Sequence, residues 1–472
     1  MKRKAIQTAG ALLGACLLLA GCANKRMQYH PPAAPQLAQA ETWNTPPAGG
    51  AKASPTDDRT LAQWWSTLGD PTLTALEERA VKGNLDLRQA EMKIRQARAQ
   101  RESARADLYP TVTASGSATG SRASTRANGE LGQSYSAGVS ASWEPDFFNR
   151  IRGTVAAYSA DLEAAQEDLR NVLVSLTAEV ALNYVDLRSY QSQLAITRAN
   201  LAAQQETYQL TVAKHESGLA TELDVQQAAL SVESTRAGIP TLETGAQKAL
   251  NAISVLVGER PGAVDALLGT VQPVPVIPAE VAVGLPADLV RRRPDIRGAE
   301  RQVAAQSARA GVAAANLYPS FTLSGLLSFS SIDILNLFTP ATLAGSLAGS
   351  VQQTILNRRR LRAQLNIQDV LLEQYETAYE GTVLGAMQDV EDALKAFANE
   401  QLRRKSLADA AAAAERAAGL SRNLYSSGLK DFLTVLDAQR SLLSLQNQLA
   451  QSDAAITANL IRLYKALGGG WS

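Results

Sequence analysis

Cys22 is the residue whose setting calls most directly for covalent chemistry. It follows basic Lys2, Arg3 and Lys4 and an apolar run from Ala11 to Ala20. That layout is an export signal, too short to be a transmembrane helix. The run closes in Leu19-Ala20-Gly21-Cys22, which resembles a bacterial lipoprotein box. Residues 1–21 are therefore expected to be removed as a signal peptide, leaving Cys22 as the lipidated first residue. Ala23 and Asn24 lack the aspartate that favours retention at the inner membrane, so the expected destination is the outer membrane. The other cysteine, Cys16, lies in the removed segment, and the mature chain has neither a disulfide nor a cysteine metal site. Its two histidines are His30 and His215, and it has no glycine-rich phosphate loop, H-E-x-x-H or G-x-S-x-G arrangement. Nothing suggests an enzyme, a cofactor or a bound metal. His215 reads as an exposed helix-end residue, and four methionines give no hint of a copper or silver relay.

Composition narrows the partners. Forty-six Lys and Arg balance 45 Asp and Glu, giving a net charge of +1 with no basic field for nucleic acid. After the signal there is no apolar run of about 18 residues, so contact with a membrane beyond the lipid requires a closed β-barrel. Residues 22–59 are rich in Pro, Ala, Gly and Gln, a composition poor at burying a core, and read as an extended lipidated tether.

The chain is a duplication. Asp86-Leu87-Arg88-Gln89-Ala90-Glu91 recurs as Asp295-Ile296-Arg297-Gly298-Ala299-Glu300, and Leu108-Tyr109-Pro110 as Leu317-Tyr318-Pro319. Asn149-Arg150 returns as Asn357-Arg358, and Ser217-Gly218-Leu219 as Ser427-Gly428-Leu429. Four landmarks in one order and nearly one register define a repeated unit. The expected boundaries are a first repeat at 60–259, a linker at 260–283, a second repeat at 284–467 and a tail at 468–472.

Each repeat opens with a polar, Ala-rich helix, about 71–107 and 284–315, closed by Tyr-Pro. Two strands follow. Residues 134–144 place Tyr135, Ala137, Val139, Ala141 and Trp143 on one face and Ser134, Ser136, Ser140 and Ser142 on the other. Residues 320–330 set Phe321, Leu323, Leu327 and Phe329 against Ser320, Thr322, Ser324 and Ser328. Partner strands near 110–120 and 341–352 are weaker. One apolar and one wet face suit a barrel wall between lipid and water, although soluble sheets also alternate. Tyr135, Trp143 and Phe329 read as a girdle or as sheet-packing aromatics.

Then comes a helix of unusual length, Arg150 to Ser217 and again Arg358 to Ser427, with no proline. At about 1.5 Å per residue it reaches roughly 100 Å. Ile151, Val155, Tyr158, Leu162, Ala165, Leu169, Val172 and Leu176 alternate four and three apart, the seam of a coiled coil. Each long helix stops at a glycine, Gly218 or Gly428. Return helices are expected at about 221–257 and 430–467. Four strands cannot close a barrel, for which about eight is the minimum, so the chain must oligomerise. Two, three or four copies would all satisfy this.

The most specific stretch runs Gly284-Leu285-Pro286-Ala287-Asp288-Leu289-Val290-Arg291-Arg292-Arg293-Pro294-Asp295-Ile296-Arg297. With Trp143-Glu144-Pro145-Asp146-Phe147-Phe148-Asn149-Arg150, the stretch Thr235–Glu243 and Val435-Leu436-Asp437-Ala438-Gln439-Arg440, it resembles the TolC, OprM and NodT-type outer-membrane efflux family over essentially the whole mature chain. The lipoprotein box fits the OprM-like branch. Asn149 departs from the family's usual glycine.

The resemblance implies an α+β membrane protein, a homotrimer whose 12-stranded transmembrane β-barrel continues as a 12-helix periplasmic α-barrel. It implies an exit duct exporting small molecules such as drugs or toxic compounds, lipid-anchored in the outer membrane. The implied partners are a periplasmic adaptor and an inner-membrane pump of the RND type. The tip at Gly218 and Gly428 would be the gate. By motif match, Asp437 would supply an acidic ring and Leu433 an apolar ring. Tyr425 and Asp224 would hydrogen-bond between neighbouring helix pairs, and Lys430 and Asp431 would be tip charges facing the adaptor. Taken without the resemblance, Asp437 reads as a solvated helix residue, and Lys430 and Asp431 as a solvated loop. A structural periplasmic coiled coil is the competing function, and it leaves the four amphipathic strands unexplained. Metal ions or secreted protein are alternative cargoes of a duct.

Overall fold

The computed structural model describes residues 42–52, 54, 57–122, 131–278, 280–284, 286, 288 and 292–471. In chain order the elements are β1 (Ala51–Lys52), α1 (Asp58–Ala62), α2 (Pro71–Gly83), α3 (Leu85–Ala106), β2 (Thr111–Arg122), β3 (Leu131–Trp143), α4 (Arg150–Glu216) and α5 (Glu222–Leu256). There follow α6 (Asp265–Leu268), β4 (Val281–Ala282), α7 (Pro294–Ala315), β5 (Ser320–Ser331), β6 (Leu343–Gln352), α8 (Arg358–Ser426) and α9 (Phe432–Ala466). No helix among the described residues is long and apolar enough to cross a membrane. The signal segment and Cys22 lie outside the described residues.

Two compact units emerge. The first holds Met92–Gln166 and Gly298–Gly381. Its centre is one antiparallel sheet in the order β2-β3-β5-β6. Register sorts the side chains cleanly, because residues directly opposite one another share a face. Val112 faces Ala141, Ala137 faces Phe329, Val139 faces Leu327, Trp143 faces Leu323 and Phe321 faces Val351. On the other side Thr113 faces Ser140, Ser117 faces Ser136, Ser142 faces Ser324 and Thr322 faces Ser350. Leu326, opposite Ser140 and Ser346, is the one large aliphatic on the hydroxyl face. β2 and β6 are the sheet's edges.

The strand-to-helix turn explains the Trp143–Arg150 motif. Arg150 makes two hydrogen bonds to Glu144, at 3.0 and 2.7 Å, and Asp146 accepts the Arg152 amide at 2.7 Å. Phe148 stacks on Tyr318 at 4.9 Å. Asn149 and its repeat partner Asn357 sit at φ 59° and 66°, the only non-glycine residues with positive φ among those described. Asparagine tolerates this left-handed geometry better than other L-residues, which is why it can stand where the family uses glycine. Asn357→Gly is expected to be neutral and Asn357→Ala to cost about 1 kcal/mol in thermal unfolding. Equal effects of the two would show that the backbone conformation is not what selects asparagine.

The second unit holds residues 42–91, Glu167–Arg297 and 382–471. Its core joins Trp64, Leu73, Leu76, Tyr184, Leu187, Ile253, Phe397, Leu460 and Tyr464. Trp64 is fully buried and stacks on Tyr464 at 5.5 Å. Two expectations are corrected here. The segment 42–59 is not all free tether: Trp43 and Ala51 are in the core, Trp43 Nε1 donates to the Gly284 carbonyl at 3.0 Å, and β1 pairs in parallel with β4. The indole, two ladder residues and the Glu391 carboxylate, which accepts the Asn44 and Thr45 amides at 2.7 and 2.8 Å, fix it despite the proline-rich composition. The single helix expected at 71–107 is two, α2 and α3, because Asn84 leaves helical geometry. Its Oδ1 accepts the Leu87 amide at 2.9 Å and its Nδ2 donates to the Leu256 carbonyl, so one side chain caps both a beginning and an end.

Candidate functional site

The turns joining long and return helices are built twice on one plan. Gly218 and Gly428 adopt φ 71° and 75°, where a side chain would strain the backbone. The following amides, of Leu219 and Leu429, bond back to Lys214 and Leu424 carbonyls at 2.8 and 2.9 Å. This is a Schellman closure. The return helices then start differently. Thr221 and Asp224 form a capping box at the head of α5, with Asp224 Oδ2 accepting the Thr221 amide at 2.9 Å. Asp431 caps α9, accepting the Thr434 amide at 3.0 Å. The Thr434 hydroxyl and amide hold the Asp431 carboxyl below the usual carboxylate range, so the cap survives acidification until pH falls through that lowered value.

Between the turns lies a small core of Ala228, Tyr425, Phe432, Val435 and Leu436. Tyr425 meets Phe432 edge-on at 5.7 Å, and Lys214 sits 4.2 Å over its ring while donating to its carbonyl. Arg422 pairs with Glu206 at 2.7 Å. His215 is held across its own turn, its Nδ1 at 3.0 Å from the Ala220 carbonyl. Leu219 and Leu429 project into solvent at the two apices.

Leu433 and Asp437 are both exposed and four residues apart on α9, on the side away from buried Phe432, Val435, Leu436 and Gln439. They share one helix face, and Asp437 has no ion-pair partner among the described residues. Lys430 is exposed beside the Asp431 cap. Tyr425 and Asp224 do not meet within the chain. Tyr425 is buried with its hydroxyl donating to Thr211 Oγ1 at 3.3 Å, and Asp224 serves its capping box.

Sequence reasoning missed a polar seam above this core. Gln193, Asn200 and Thr207 on α4, each seven residues apart, bond Gln451, Gln446 and Gln439 on α9 at 2.9, 2.7 and 2.9 Å. The heptad spacing was a visible signal, since residues seven apart return to the same helix face. Every member is neutral, so the seam's strength does not depend on ionisation. It also missed Glu77, fully buried with neither carboxyl oxygen hydrogen-bonded among the described residues. Burial pushes its carboxyl well above the ordinary range.

A model of the outer membrane efflux protein family matches residues 76–259 and 285–469, once for each repeat. The chain belongs to that family. It is 33% identical to nodulation protein T of Rhizobium leguminosarum bv. trifolii over 459 residues, covering 97% of this chain and 96% of that one. It is 34% identical to the pyoverdine export outer membrane protein OpmQ of Pseudomonas aeruginosa over 478 residues, covering 98% and 96%. Among solved structures it is similar to the outer-membrane channel OprN, with a TM-score of 0.85 and 33% identity over 92% of this chain and 98% of that one. This efflux protein is an exit duct with the α+β channel fold, located in the outer membrane and extending into the periplasm. Its family is one of transport ducts rather than enzymes. An apolar face toward lipid and a hydroxyl face toward water are what the wall of a transmembrane barrel requires.

Proposed function

We propose that three copies of this chain form one gated duct of a tripartite efflux system, anchored by lipid on Cys22. The observation that carries the reading is the four-stranded sheet with two edges and two unlike faces. Edges left open in lipid would cost several kcal/mol per unpaired backbone group, and pairing β2 of one protomer with β6 of the next continues the antiparallel alternation. Twelve strands then close a water-filled barrel. In this reading the turns at Gly218 and Gly428 form the periplasmic tip, where Leu433 and Asp437 rings constrict the lumen. A periplasmic adaptor engages Lys430, Asp431 and the exposed leucines of the tip, and links the duct to an inner-membrane pump of the RND type. Pyoverdine export by OpmQ supports a small-molecule cargo, with drugs or toxic compounds as the class. The domain boundaries that go with this duct are the two repeats at 60–259 and 284–467 joined by the linker at 260–283.

The test is direct. The full chain, extracted from outer membranes and run unheated in SDS, is expected to migrate as a trimer that heat dissociates, and to insert single channels into planar bilayers. A water-soluble helical rod without channel activity would overturn the duct and support the structural coiled coil.

A further inference from the structure

The loop joining β5 to β6, residues 332–342, lies at the end of the sheet remote from the helix junctions. β5 starts at Ser320, just after α7, and its 12 residues carry the chain about 40 Å before the loop begins. In an outer-membrane duct whose helices reach into the periplasm, that end faces the exterior. A loop in water there should be polar. This one reads Ile332-Asp333-Ile334-Leu335-Asn336-Leu337-Phe338-Thr339-Pro340-Ala341-Thr342, with Asp333 as its sole charge. Ile332 is 83% exposed, Leu335 88% and Phe338 71%. The segment between β2 and β3, at the matching place in the first repeat, reads Ala123-Ser124-Thr125-Arg126-Ala127-Asn128-Gly129-Glu130, so the repeat does not demand an apolar sequence here.

Two further observations say what covers it. Phe338 packs edge-on against Phe329 at 5.4 Å, and Phe329 stands on the lipid face in register with Ala137 and Leu343. The loop is thus continuous with the lipid-facing band. Several of its polar groups are also bonded within the loop. Asp333 accepts the Leu335 amide at 3.0 Å and the Asn336 side-chain amide at 2.8 Å. The Asn336 amide bonds the Asp333 carbonyl at 3.2 Å, and the Leu337 amide bonds the Ile334 carbonyl at 3.3 Å. The Thr342 hydroxyl has its single proton within reach of the Leu337 and Thr339 carbonyls, at 2.5 and 2.8 Å. Irregular backbone with some groups still open belongs at the wet headgroup boundary, from which apolar side chains can reach into the acyl layer. We infer that residues 332–338 form a wedge at the headgroup boundary of the outer leaflet, its backbone and Asp333 in the wet layer and the side chains of Ile332, Ile334, Leu335 and Phe338 inserted among the lipid chains.

Site-directed spin labelling tests this on the full-length duct reconstituted in phosphatidylethanolamine–phosphatidylglycerol liposomes. A nitroxide is attached at Leu335→Cys, and relaxation is compared for oxygen, which concentrates in lipid, and a neutral nickel chelate, which stays in water. Leu347→Cys on the lipid face and Ser117→Cys on the hydroxyl face provide the two references, and the parent chain provides the blank. The expected oxygen-to-nickel ratio at 335 exceeds that at 117 several-fold and approaches that at 347. A ratio matching 117 places the loop in water and overturns the wedge. Low access to both reagents places it against protein, a neighbouring protomer included, and overturns it equally. Each variant is first shown to keep its heat-dissociable oligomer, so a failure to fold is not mistaken for either result.

Discussion

Arg188→Leu is expected to destabilise the duct by roughly 3 kcal/mol and to lower the temperature at which its SDS-resistant oligomer dissociates. Arg188 is fully buried on α4. Its guanidinium donates to Gln191 Oε1 at 2.7 Å, to the Thr270 carbonyl at 2.8 Å, to Gln272 Oε1 at 3.3 Å and to the Leu268 carbonyl at 3.4 Å. It also lies 4.8 Å over the ring of Tyr184, whose hydroxyl donates to Asp70 at 2.6 Å, and Asp70 caps α2. One side chain therefore fastens the linker between the repeats to a helix of the first. Leucine fills most of the space and supplies no donor. Leu268 keeps a bond from Gln191 Nε2, but Gln191 Oε1 is left buried without its donor, at about 1–3 kcal/mol, and the charge-assisted bonds are lost as well. Lysine should rescue little, because a single ammonium cannot span acceptors placed for a fork. The control is Arg198→Leu, which removes a pair to Glu243 with both side chains at least half exposed. That change should cost under about 1 kcal/mol. Equal shifts for the two would mean that Arg188 is not what holds the linker.

Asp437→Ala combined with Tyr425→Phe is expected to raise single-channel conductance several-fold and to reduce the preference for cations. The two changes act differently. In the proposed gate three Asp437 carboxylates converge on the axis and attract cations at short range, and alanine would remove both the charge and the bulk from that constriction. Tyr425→Phe removes only the hydroxyl bond to Thr211, worth about 1 kcal/mol, or roughly fivefold in a two-state equilibrium. Thr211 keeps its bond to the Thr207 carbonyl at 2.9 Å, so nothing is orphaned. Most of the conductance change should therefore follow Asp437, and Asp437→Asn should lose selectivity while leaving conductance near that of the parent. If conductance and selectivity are unchanged in the double variant, Asp437 does not line the gate. The channel fold would be untouched by that result.

The two long helices, the glycine stops and the alternating strands were legible in the sequence because each follows from local spacing: a seam four and three apart, a residue that accepts positive φ, a period of two. The duplication was legible for the same reason, as was the shared face of Leu433 and Asp437, four residues apart. Which strand lies beside which, and that Phe329 falls in register with Ala137 and Leu343, came only from tertiary pairing. Trp43 in the core and Arg188 gripping residues 268–272 are long-range contacts, and local composition, proline-rich in one case and charged in the other, argues against both burials. The partners of Tyr425 and Asp224 were likewise decided by packing: both side chains carry polar groups that the nearest donor or acceptor claims, Thr211 for one and the Thr221 cap for the other. Local periodicity determines which faces must be covered; only the folded chain decides what covers them.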